Sequence, residues 1–134
     1  MKNLKSQSGR SMVEMLGVLA IIGVLSIGGI AGYTMAMNRY KANEVINAAA
    51  MLSIANQSSQ SDTATTLKGL GLKTDGTTTD TIHGCKLTGT AKKATVTVSC
   101  GTNTDIATAI SNITGGNGIG EDGQWTTTTT TPTE

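Results

Sequence analysis

Apolar and polar positions are unevenly shared along this chain. From Met15 to Met37 no Asp, Glu, Lys or Arg occurs. The run is about 23 residues, roughly 34 Å of helix and enough to cross a bilayer core. Beyond it the pattern turns amphipathic. Met37, Tyr40, Val45, Ala48, Ala49, Leu52 and Ala55 fall near one helical stripe, and Ile46, Ala50 and Ile54 make a neighbouring one. Neither Gly nor Pro interrupts Tyr33 to Gln60. The spacing therefore predicts one helix from about Ser11 to Asn56, near 70 Å long. Two stripes suggest two partners, the chain's own sheet and other subunits; a single wide core-facing stripe is the plainer alternative.

After Gln57 the chain is polar and rich in Thr and Gly. Thr63 to Leu72 reads as a short helix closed by Gly69 or Gly71, and Thr74-Asp75-Gly76-Thr77 as a turn. Thr81 to Leu87 and Ala94 to Cys100 read as strands, with Val96 and Val98 alternating against Thr95, Thr97 and Ser99. Gly89 to Lys93 would connect them. A hairpin centred between Lys92 and Lys93 puts Cys85 opposite Cys100, within reach of a disulfide. Thr104 to Ile113 offers an N-cap and Ile at i, i+4 and i+7, a short helix ending at Gly115-Gly116. The rest reads as a loop and tail, with Trp125 pinning its end to the head and a Thr run from Thr126 to Thr131 that is either frayed or a sugar attachment site.

Composition sharpens this picture. The 134 residues include no Phe, one Trp and two Tyr, and the net charge is +1. Aromatic side chains carry much of the buried area of a normal core, so the head is small and needs a staple or partners. Near-zero charge gives no field to draw nucleic acid. Two Cys and His83 fall short of a four-ligand zinc site, and His83 reads as a solvated or packing residue. No cofactor is expected. Glu121-Asp122-Gly123 offers oxygens to Ca²⁺, against the plainer reading of a solvated loop. No nucleophile–base set, phosphate-cradling loop or carboxylate pair points to an enzyme.

Lys2, Lys5 and Arg10 precede the apolar run, which places the N-terminal flank in the cytoplasm. A secretory signal peptide cut near Gly29-Ile30-Ala31 is an alternative, but its apolar core would be only about 7–15 residues. Gly28 and Gly32 form a GxxxG pair of the kind that brings membrane helices together, although a Gly-rich run produces such pairs by chance. Glu14 stands at the edge of the run, where a carboxylate is costly unless paired or interfacial. Arg10, one helical turn earlier, is a possible partner.

Gly9-Arg10-Ser11-Met12-Val13-Glu14, followed by the apolar run, resembles the type III signal of type IV pilins and type II secretion pseudopilins over residues 1–55. The resemblance implies a leader, 1–9, that a prepilin peptidase removes after Gly9. It implies a methylated new N-terminus at Arg10 and a Glu14 that neutralises the terminal amine of a neighbouring copy. It further implies a pilin-like α+β fold: a long N-terminal α-helix, 10–57, with its membrane and assembly half at 12–37, packed on a small antiparallel sheet head, 58–134, with one disulfide hairpin. The expected function is that of a structural filament subunit. Its partners would be copies of itself, the peptidase and the bacterial inner membrane, and the assembled filament would lie on the cell surface. The cysteine-bridged hairpin resembles that of type IV pilins and leans toward a pilus over a secretion pseudopilin. An anchored binding head that never polymerises is the alternative of a different class. Two departures stand out: the family usually starts its mature chain with an apolar residue, not Arg, and many relatives carry a Pro midway along the helix, where this chain has Gly28-Gly29.

Overall fold

The fold is taken from a computed structural model, which describes residues 4–75 and 80–127, with side chains from Ser11 onward. Gly76 and Thr77 of the expected turn, and Thr128 to Thr131 of the Thr run, lie outside the described residues. The order of elements is α1 (Leu4–Ser58), β1 (Thr81–Ile82), β2 (Cys85–Gly89), β3 (Val96–Ser99), α2 (Thr104–Thr114), β4 (Gly118–Ile119) and β5 (Trp125–Thr126). The chain divides into two units, one ending at Met37 and one beginning at Asn38.

The described residues of the first unit are all helical. α1 is already helical at Leu4, ahead of the apolar pattern, and passes Gly28-Gly29 without a break. Those glycines do not act as a hinge in the fold. Side chains from Ser11 to Ala36 are all exposed, and the stretch is long and apolar enough to cross a membrane.

The second unit is a five-stranded antiparallel sheet in the order β1-β2-β3-β4-β5, onto which the C-terminal part of α1 packs. Ala42, Val45, Ala48, Ala49 and Leu52 are buried with Leu87, Val96 and Val98 of the sheet. Small side chains at 42, 48 and 49 let helix and sheet approach closely, which suits a core without Phe. Two buried polar residues complete the stripe. The Ser53 hydroxyl donates to the Ala94 carbonyl at 2.6 Å, and Asn56 Oδ1 accepts from the Thr65 N–H at 2.5 Å. Gly89 lies so close to the Asn56 amide that a Cβ there would collide with it. The second stripe is only partly covered: Ile54 faces outward, as does Met51 beside it, Ala50 is half-buried, and Ile46 packs against the core. Tyr40, placed on the buried stripe by spacing, is exposed.

The sheet departs from the sequence pattern in three places. The run Thr81 to Leu87 is not one strand but a tight hairpin. Ile82 pairs with Cys85, and the two residues between them, His83 and Gly84, have φ of 51° and 77°. Positive φ at both central positions is the requirement of a type I′ turn, and His tolerates it better than most side chains. Thr63 to Leu72 forms turns instead of a helix; Leu67 is buried, and Gly71 at φ 75° reverses the chain. The segment after Asn117 is not loop alone. β4 and β5 extend the sheet, with Ile119 opposite Trp125, which is half-buried against the core.

The central hairpin follows the expected register. Lys86 lies opposite Ser99 and Leu87 opposite Val98, and Cys85 and Cys100 are joined by a disulfide at 2.07 Å. α2 buries Ile106 and Ile110, leaves Ile113 half-exposed, and ends at Gly115 with φ 80° and its N–H on the Ser111 carbonyl. Asn103, not Thr104, precedes its first turn, and its side chain makes no capping bond.

Two substitutions test this packing. Ser53→Ala should lower head stability by about 1 kcal/mol, the net worth of a buried hydrogen bond. Replacing both cysteines by Ser should cost about 3 kcal/mol for the loop they close. Denaturant unfolding of the full chain in detergent measures both, with the disulfide loss expected to be the larger.

Candidate functional site

Two regions concentrate chemistry. The first is the N-terminal stretch of α1. Backbone helix runs through Gly9, Arg10 and Glu14, while the Arg10 side chain lies outside the described residues. Glu14 is exposed, two residues before a face that includes Leu16, Leu19 and Ile22, each more than half exposed. A Cβ added at Gly17, Gly28 or Gly32 would meet nothing within 4 Å. Those glycines therefore leave notches that no part of this chain fills. Gly28 and Gly32 are a helical turn apart and share a face. Glu14 lies more than three turns away along the same helix, so the three do not converge on one point.

The second region carries no motif in the sequence. A groove of about 380 Å³ opens on the head, lined by Tyr40 and Glu44 of α1, Lys73 to Asp75, and Ile82 and His83 of the β1–β2 hairpin. His83 Nε2 meets Glu44 Oε2, joining the hairpin turn to the helix. The Tyr40 hydroxyl donates to the other Glu44 oxygen at 3.3 Å, and Asp75 Oδ2 accepts from the Gly84 N–H at 2.7 Å. The hydrogen bond from His83 is the main cause that holds the Glu44 carboxyl below its ordinary value of 4.5; partial burial opposes it, and the charges of His83 and Lys73 assist. His83 is thus neither free in solvent nor simple packing. The signal available in sequence is weak: an I′ turn needs two φ > 0 residues, and His-Gly is a less common choice than Asn-Gly or Asp-Gly.

The remaining candidate residues are placed plainly. Glu121 Oε1 accepts from Lys93 Nζ at 2.5 Å, and Asp122 Oδ1 caps the Gln124 N–H at 3.1 Å within the β4–β5 turn. The bond from Lys93 lowers the Glu121 carboxyl, but the pair is exposed and so adds little to stability. Lys92, at φ 62°, reaches the other way to Asp62. The two lysines thereby tie the hairpin tip to loops on either side. No group of three or more His, Cys, Asp or Glu able to hold a metal occurs among the described residues. The disulfide half-cystines are buried, Cys85 completely and Cys100 at 6 % exposure.

Comparison with family models, with curated proteins and with solved structures returned no match.

The Glu44 pairing makes a signed prediction. A carboxyl whose folded value is depressed adds stability above its unfolded value and loses it as pH falls through the folded one. Wild type should therefore exceed Glu44→Gln in stability above the ordinary carboxyl range, and that advantage should shrink as the pH falls through and below it. Urea midpoints of the two proteins across that range give the test.

Proposed function

We propose that this chain is a structural subunit of a type IV pilus-like filament. It would be held in a bacterial inner membrane by residues 12–37 with its N-terminus in the cytoplasm, cut after Gly9, and polymerised through α1 at the cell surface. One observation carries the reading: from Ser11 to Ala36 the helix exposes every side chain, and from Met15 on this stretch has no charge. Such a surface is stable only in lipid or against other apolar helices. The spacing of Gly9 and Glu14 supports the second option as the final state, because a buried carboxylate needs a buried cation, and the new terminus of another copy supplies one. Gly28 and Gly32 would let helices approach, and outward-facing Met51 and Ile54 offer apolar surface to a neighbour. The function lies in the polymer, with no catalysis by the subunit and no nucleic acid as partner.

A membrane-anchored binding head is the second reading, favoured by the groove at Tyr40, Glu44 and His83. Intact mass and N-terminal sequencing of protein sheared from native cells separate the two. A filament subunit should begin at Arg10, carry a methylated amine and lack two hydrogens for its disulfide. A chain recovered only from membranes and starting at Met1 would discard the filament. Glu14→Ala should still be inserted in the membrane yet give few filaments; wild-type filament yield from that variant would remove Glu14 from assembly.

A further inference from the structure

The head groove carries two charges of opposite sign that the filament does not use. Every residue that lines it belongs to the unit beginning at Asn38, so the site is complete within the head. Its volume of about 380 Å³ stands at the small end of ligand pockets, which run from about 300 to 1,000 Å³. A small molecule fits that space.

The negative charge is Glu44. His83 bonds to one of its oxygens and the Tyr40 hydroxyl to the other, yet the side chain is still 41 % exposed. Each carboxylate oxygen has a further lone pair, so the group can also accept from a ligand. The bond from His83 is the main cause that holds its carboxyl below the ordinary value, and the charge of Lys73 assists. The positive charge is Lys73. It is exposed and, among the described residues, makes no ion pair. Its charge therefore acts on Glu44 without closing a bridge to it.

The other lining groups narrow the chemistry. The Tyr40 ring stands beside the carboxylate, where it attracts an ammonium by its π face. Ile82 adds apolar surface. An amine alone would be repelled by Lys73, and a carboxylate alone by Glu44 and Asp75. A molecule that carries both charges on one short frame satisfies both sides of the groove.

We infer that the groove takes a small apolar α-amino acid, its ammonium donating to Glu44 beside the Tyr40 ring, its carboxylate accepting from Lys73 and its side chain against Ile82. The site needs only the head, and it stands whether or not the chain is cut or polymerised.

The test uses the full chain in detergent micelles and follows NMR signals of Tyr40, Lys73 and His83 at constant pH and ionic strength. L-Valine should shift them saturably. Isobutylamine, which lacks the carboxylate, and isovalerate, which lacks the ammonium, should each need about tenfold more, the loss expected for one charged hydrogen bond. Lys73→Gln changes an exposed side chain and leaves the His83 bond in place. It should weaken valine about tenfold and bring it level with isobutylamine. Glu44→Gln, in a variant whose spectrum stays folded, should weaken valine and isobutylamine alike. Isobutylamine binding wild type as tightly as valine would mean a plain ammonium site, such as one for a lysine side chain, and overturn the amino-acid assignment. No saturable shift with valine in folded wild type, or valine binding that Lys73→Gln leaves unchanged, would overturn it as well.

Discussion

The contact between the buried stripe of α1 and the β2–β3 hairpin holds the head together. A sheet with two-residue strands at both edges has little cohesion of its own. Val45 and Leu52 give it an apolar face to close upon, and Ser53 fixes where along the helix the hairpin sits by bonding to Ala94. Asn56 then collects the chain that leaves the helix through Thr65. The hairpin also accepts the helix sterically, because Gly89 has no side chain to push the Asn56 amide away. Everything further out, including β1, α2 and the last two strands, is placed against this pair.

That economy explains the unusual composition. With no Phe in the chain, burial comes from many small contributions. Alanines bring backbones close, the disulfide removes freedom from the unfolded chain, and turns carry specific backbone conformations. The lysines at the hairpin tip and the His83–Glu44 pair act at the periphery. Each is worth little alone, yet each ties a loop to an element that is already fixed.

Much of this is legible in the residues alone. Two features allow it: strong periodicity in α1, and the alternation of Val96 and Val98 around a symmetric pair of cysteines. The departures share a physical cause. Thr81 to Leu87 reads as one strand because β-propensity does not register a φ > 0 turn that begins at a His. The outward Ile54 and Ile113 satisfy helical spacing but not burial, since spacing defines a stripe and not its width. β4 and β5 escape the pattern because Gly118, Gly120 and Gly123 carry no strand signal; their strand character comes from pairing with β3 and with each other. The groove has no sequence signature at all. It joins α1 to two segments well beyond it in the chain, and only the fold brings Glu44 to His83.

The burial of the cystine has a consequence for timing. Thiol oxidation requires the sulfur to be reached by an oxidant, yet Cys85 is fully enclosed and Cys100 nearly so. The bond therefore forms while the hairpin is still uncovered, before the head closes over it. Once the head has closed, a reductant reaches the sulfurs only when it opens. The rate at which the crosslink can be lost is then limited by how seldom the head opens.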